Sequence, residues 1–224
     1  NRPGRQPNTR VFQRKIEGVA VDTAVGILVD QSGSMGHSGK IECAREASVA
    51  IGDALHGLAF LGVQFGLWGF DSNHDKCARR FVEGVDRAEP LRFHHYKGMD
   101  ENWDRVSGRI SYMRDLSDNC DGESVRWAAK NLLETKANRR ILIVLSDGYP
   151  AVATMSSPSR IEADLMLAVT QVTDLGVDTL GIGIMDASVK AFYPNHVVIH
   201  DASDLQNTLM NALRGLMLGQ RTAA

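Results

Sequence analysis

The sequence predicts an α/β chain built on a doubly wound, mostly parallel central sheet with helices on both faces. Three observations carry this. Strand-length, continuously apolar runs recur along the chain. Segments with apolar residues at helical spacing lie between them. Polar turns rich in Asp, Ser and Gly follow the strongest runs. A strand covered on both faces has no polar side and reads as an unbroken Val/Ile/Leu run. Strands alternating with helices build a parallel sheet with right-handed crossovers.

Residues 1–19 carry Arg2, Arg5, Arg10, Arg14 and Lys15 among Pro3, Gly4 and Pro7, and read as a basic, flexible lead-in or linker. Ala24–Val29 is the first buried strand, and the alanine-rich Lys40–Leu58 a helix. Val63–Phe70 is a second strand, and Cys77–Val85 a weak third one at an edge. Between Asp71 and Glu101 the pattern is poorest. Helices are expected over Asn102–Leu116 and Glu123–Glu134, the latter rich in good helix formers. Ile141–Leu145 is the strongest strand. Ile161, Leu165, Ala168, Val169 and Val172 mark another helix. Asp178–Ile184 and Val197–Ile199 are strands, and Leu205, Leu209, Leu213 and Leu216 stripe a closing helix. The expected division is a lead-in over 1–19, one domain over 20–218 and a tail over 219–224.

Composition excludes several classes. A hydrophobic fraction of 43% and a charged fraction of 23% are those of a folding chain. The net charge of -2 gives no footprint for nucleic acid. No apolar run reaches the ~20 residues that span a bilayer, so no membrane association is expected. The 3 Cys residues (Cys43, Cys77 and Cys120) are widely spaced and odd in number. They suggest neither a zinc ribbon nor a disulfide framework, and a reducing, cytoplasmic setting fits best. The chain opens on polar and basic residues without Met, as a fragment or a processed chain would.

In open α/β sheets ligands bind at the carboxyl ends of the strands. There the sequence puts Asp30-Gln31-Ser32-Gly33-Ser34, then Asn119-Cys120-Asp121-Gly122-Glu123, then Ser146-Asp147-Gly148. Asp30, Ser32, Ser34, Asp121 and Asp147 are the expected metal ligands, with Gly33, Glu123, Ser146 and Gly148 in support. Carboxylate and hydroxyl oxygens without thiolate or imidazole suit a hard cation, Mg²⁺ first, then Mn²⁺ or Ca²⁺. The D-x-S-x-S spacing lets alternate side chains aim at one point around the bend at Gly33. Each fragment alone also reads as a turn or helix cap; the specificity lies in the three together.

Asp30-Gln31-Ser32-Gly33-Ser34-Met35 after an apolar strand resembles the metal-ion-dependent adhesion site (MIDAS) of von Willebrand factor A (VWA) domains, and Asp147 in "LSDG" resembles that family's third motif. The resemblance covers roughly residues 20–218 and implies a Rossmann-like VWA fold. "NCDGESVRWAAKNLL", "RRILIVLSDGYP", "LGIGI" and "VVIHDASDL" resemble the C-terminal domain of the cobaltochelatase subunit CobT. That resemblance implies cobalamin biosynthesis, with a CobS-like AAA+ ATPase and a CobN-like large chelatase subunit as partners. The domain would then couple motion to metal insertion without being the catalyst. A departure stands at the second loop, where adhesion-type domains usually have Thr and this chain has Asp121. Three carboxylates near one ion would repel each other without it, so at least one pKa should rise.

Two other functions stay open at this point: an adaptor of a MoxR-type AAA+ ATPase in complex assembly, and a metal-dependent phosphoryl-transfer enzyme with Asp30 as nucleophile. The second would normally carry another Asp two residues on, where Ser32 stands. His94-His95 read as a surface pair, and Cys43, Cys120 and Met35 as packing residues. Arg139-Arg140 read as a solvated strand entrance, Trp68 and Trp103 as core or rim. Trp127 is expected beneath the metal loops.

Overall fold

The computed structural model describes residues 22–72, 90–152 and 158–200. The lead-in over 1–19, the strand expected at Cys77–Val85, the closing helix over Leu205–Leu216 and the tail over 219–224 lie outside the described residues.

The chain runs β1 (Thr23–Asp30), α1 (Lys40–His56), β2 (Val63–Ser72), β3 (Leu91–Lys97), α2 (Trp103–Val106), α3 (Asp121–Leu133), β4 (Arg139–Ser146), α4 (Pro158–Asp174), β5 (Val177–Ile184) and β6 (His196–Ile199). One six-stranded sheet has the order β3-β2-β1-β4-β5-β6. The neighbours from β2 through β6 are parallel, with Ile27 opposite both Leu67 and Ile143. β3 alone is antiparallel, against β2. It lies within the stretch whose periodicity is poor, because an edge strand with one half-exposed face alternates less cleanly than a buried one.

Alternation along the strands divides the core in two. Val25, Ile27 and Val29 face α1 with Ile41, Ala44, Ala47 and Ile51. Ala24 and Leu28 face α3 and α4 with Val125, Ala128, Leu132, Leu165 and Val169. Both faces of β1 are buried, as its unbroken apolar run requires. Each fully buried Val, Leu or Ile contributes about 1.5–3 kcal/mol, so these layers fix the positions of the strand ends. Among the described residues no helix is long and apolar enough to cross a membrane.

The helix expected over Asn102–Leu116 is shorter than its pattern. Trp103–Val106 is α-helical, and Ser107–Tyr112 winds on as a 3₁₀ helix. Trp103, Val106, Ile110 and Met113 are buried as that spacing demands. Gly108 disfavours a continued α-helix by about 1 kcal/mol, and its carbonyl accepts a 2.7 Å bond from the Ser111 hydroxyl. Trp103 packs where Gly52 of α1 leaves room, and its indole N–H donates to Asp53 at 2.7 Å. Trp127 stacks on Phe93 at 3.8 Å and meets Trp68 and His95 edge-on, so it braces the β2–β3 flank and not the metal loops. His94 is more than a surface residue, since its Nε2 lies 2.9 Å from the buried carboxylate of Asp71, which also holds Arg92. Arg139 pairs with Asp178 at 3.0 Å, and Arg140 donates to the carbonyls of Leu132 and Thr135.

Lys97 closes the far end of β3. Its ammonium is buried, donates to the carbonyls of Phe65 (2.6 Å) and Gly98 (3.0 Å), and lies 4.2 Å from the centre of the Phe65 ring. It thereby satisfies a carbonyl of β2 just past the last β2–β3 pair, Leu67 with Lys97. Burial lowers its pKa to about 8. A folded-state pKa below the unfolded one means that, between about pH 8 and the ordinary lysine value, the unfolded chain holds the extra proton. Wild type should therefore gain stability relative to Lys97→Met as pH rises through that window. Urea unfolding of both proteins at several pH values measures it; a constant difference overturns the assignment.

Candidate metal centre

β1 pairs with β2 on one side and β4 on the other. The chain leaving β1 turns to α1 on one face of the sheet, and the chain leaving β4 leads to α4 on the opposite face. Connections diverging from adjacent parallel strands leave a crevice at their carboxyl ends. The loop entering α3 comes to the same place, because Asn119 bridges antiparallel to Ala151, just past β4. The three segments singled out from the sequence thus meet.

Asp30 is the last residue of β1 and has no exposed surface. One carboxylate oxygen accepts the Ser32 backbone N–H at 2.8 Å, and the other accepts the Ser146 hydroxyl at 3.1 Å. The hydroxyls of Ser32 and Ser34 are 3.0 Å apart. Ser34 also donates to Asp147 Oδ1 at 2.8 Å. Asp121 opens α3 and is buried. Its carboxylate accepts the Asn119 amide at 2.8 Å, and that same amide lies 3.3 Å from Asp30. Gly33 donates its backbone N–H to the Ser117 carbonyl at 2.6 Å, and Gly148 approaches the Ser146 hydroxyl at 3.5 Å. Glu123 lies half-buried in the first turn of α3, where its charge helps to raise the Cys120 thiol to about 12, after burial as the larger cause.

The electrostatics follow from crowding acids out of water. Burial pushes the Asp30 carboxyl up to about 6, and the Asp147 charge adds to it. Burial and then the Asp30 charge raise Asp121 well above the usual carboxylate range. Hydrogen bonds from Ser32, Ser146 and Asn119 oppose both shifts. Among the described residues no group of three or more His, Cys, Asp or Glu side chains could hold a metal ion. A cation here has to be shared between carboxylates and the Ser32 and Ser34 hydroxyls. That all-oxygen donor set fits a hard dication. Ser34 and Gly33 are exposed, so the crevice opens to solvent.

Three residues that hold these groups carried no signal as ligands. Asn119 ties Asp30 to Asp121 through its amide, while its carbonyl oxygen accepts the Ala151 N–H at 2.9 Å. Gln31, the spacer of D-x-S-x-S, donates its side-chain amide to the Arg114 carbonyl at 2.7 Å and accepts the Tyr96 hydroxyl at 3.0 Å. Lys40, the first residue of α1, reaches Asp147 Oδ2 at 2.7 Å.

A six-stranded sheet in this order, with its polar crevice at the central strand, is the architecture of von Willebrand factor A domains. Among solved structures, the vWF domain of the type V pili tip protein Mfa5 from Porphyromonas gingivalis is similar with a TM-score of 0.67 and 11% identity, over 90% of this chain and 97% of that one. The PilB minor pilin from Streptococcus sanguinis is similar with a TM-score of 0.62 and 14% identity, over 88% of this chain and 61% of that one. At such identities the likeness is one of fold. The family described as the VWA domain of the cobalamin biosynthesis protein CobT matches residues 11–219, and the chain belongs to that family. It is also 24% identical over 185 residues to the uncharacterized protein YojO of Bacillus subtilis (strain 168). That match takes in 82% of this chain but 27% of YojO, so the chain spans about a quarter of that relative's length.

The Gln31 anchor depends on Gly69, whose missing side chain leaves the space that the Gln31 amide oxygen occupies. Gly69→Ala should lose about 1–3 kcal/mol of stability, as overpacked sites do. With Gln31→Ala in the same chain, the combined loss should fall short of the sum of the two single losses, because both act on one network. Urea denaturation of the four proteins measures this, and strict additivity overturns the collision.

Proposed function

We propose that this domain is a divalent-cation-binding protein-interaction module, with Asp30, Ser32, Ser34 and Asp121 as its ligands, Asp147 as the carboxylate that orients Ser34, and Mg²⁺ as its cation. The observation that carries the reading is the meeting of three separate loops at the crevice beside β1, where hydrogen bonds link buried carboxylates and paired hydroxyls into one network. Asp30, Asp121 and the hydroxyls of Ser32 and Ser34 would hold the ion, and Asp147 would orient Ser34. A bound dication supplies positive charge that lets the buried acids ionise. Mn²⁺ or Ca²⁺ would be accepted on the same oxygen donors.

Membership of the CobT VWA family supports a place in a cobaltochelatase-type complex of cobalamin biosynthesis. There the domain would work with a CobS-like AAA+ ATPase and a CobN-like large subunit, passing ATP-driven motion to the metal-inserting subunit and doing no chemistry itself. The cytoplasm is the compartment that such a complex implies.

Calorimetry with Mg²⁺ tests the site. Wild type should bind, Asp30→Asn should abolish binding, and Asp121→Thr should weaken it. At a free Mg²⁺ of 100 times Kd the metal should add about 2.7 kcal/mol of stability, read as a raised Tm. Unchanged affinity in Asp121→Thr removes Asp121 from the ligand set, and absence of heat and of any Tm shift in wild type ends the metal reading. For the partner, ATP-dependent co-purification with the AAA+ subunit is expected, and no association in any nucleotide state counts against it.

A further inference from the structure

Lys40 stands where a cation is electrostatically misplaced. It is the first residue of α1, and the positive end of the helix dipole disfavours a positive side chain there. No side chain caps that helix start. The chain reaches Lys40 through a tight turn in which Ser38 and Gly39 both take left-handed backbone angles, φ 58° and 77°, with Lys40 N–H donating to the His37 carbonyl at 3.1 Å. This turn delivers the ammonium to Asp147 Oδ2 at 2.7 Å, while Ser34 holds Oδ1 at 2.8 Å. The pair is no ordinary surface bridge. The Asp147 side chain is 2% exposed and that of Lys40 20%, so solvent screens their attraction less than at an open surface.

Charge counting gives the pair its meaning. Asp30, Asp121 and Asp147 carry three negative charges when ionised. A dication leaves one of them uncompensated, and the Lys40 ammonium cancels it. We propose that Lys40 is the resident counter-ion of the cation site, a positioning residue that neutralises Asp147 and thereby lowers and sets the affinity for a divalent cation. With Lys40 in place the loaded centre has no net charge. The dication is then held reversibly, and an approaching carboxylate meets no surplus negative charge. This rests on the metal-site reading above and adds to it a residue outside the ligand set.

Titration calorimetry with Mg²⁺ at one pH and one salt concentration tests it, on wild type, Lys40→Met and Lys40→Arg. Removing the positive charge paired with Asp147 should tighten binding at least about tenfold in Lys40→Met. Lys40→Arg, which keeps the charge, should stay within about threefold of wild type. The metal-free Tm of Lys40→Met should fall, since Asp147 loses its counter-ion, and Mg²⁺ should recover more of that loss than it adds to wild type. A merely structural lysine would lower the Tm without tightening the metal. Lys40→Gln provides the same comparison if the Met variant does not fold. Wild-type binding with equal or weaker binding in both neutral variants overturns the counter-ion role and leaves the site standing. Binding in a neutral variant alone supports the role in its strongest form. Absence of binding in every protein overturns the site and the counter-ion role together.

Discussion

The carboxylates of Asp30 and Asp121 lie out of water, one at the end of the central strand and the other at the start of α3, and they share a single amide donor from Asn119. A buried acid is tolerated only with partners, because transfer of an unpaired charge from water costs several kcal/mol. Two such groups within reach of each other favour either a proton or a cation between them. Much of the local construction serves this one electrostatic problem: the serine hydroxyls, the Asn119 bridge, and the Lys40–Asp147 pair at the rim.

The backbone around these groups is what a strand-end crevice demands. β1 is flanked by parallel neighbours on both sides, and its exit loop has no strand of its own to continue into. It borrows hydrogen bonds instead. Gln31 takes the Phe70 carbonyl at 2.9 Å and gives its own carbonyl to Leu116 at 2.7 Å, while Gly33 takes the Ser117 carbonyl at 2.6 Å. Tethered this way, the loop can hold Ser32 and Ser34 at a fixed separation. Gly122 contributes on the α3 side, where the Asp164 carboxylate fills the place a Cβ would take and is itself gripped by Arg126 at 2.8 and 3.0 Å.

Sequence reasoning reached the parts with a strong local signature. Unbroken apolar runs located β1, β2, β4 and β5, since burial on both faces leaves no other composition. The residues that meet at the crevice, Asp30, Ser32, Ser34, Asp121, Asp147 and Ser146, were legible because strand ends in a parallel sheet share an edge. What stayed hidden was pairwise and distant. Gln31 acts on residues 65 and 83 positions away, Asn119 on one 89 away and Lys40 on one 107 away, and no periodicity reports such partners. β3 was missed because a half-exposed antiparallel edge strand mixes Arg and His into its pattern. Trp127 was misplaced because its helix was read correctly but the neighbour it stacks on, Phe93, belongs to that unread strand.

The tethers of the loop after β1 also reach sideways. Leu116 and Ser117 hold Gln31 and Gly33, the next residue Asp118 exchanges backbone bonds with Ser72 at the end of β2, and Tyr96 of β3 reaches back to Gln31. The rim of the crevice and the outer pair of strands are therefore joined by hydrogen bonds, and segments tied in this way tend to open together. The outer margin of the sheet is thus joined to the loop that carries Ser32 and Ser34 by polar contacts at the rim, apart from the hydrophobic interior.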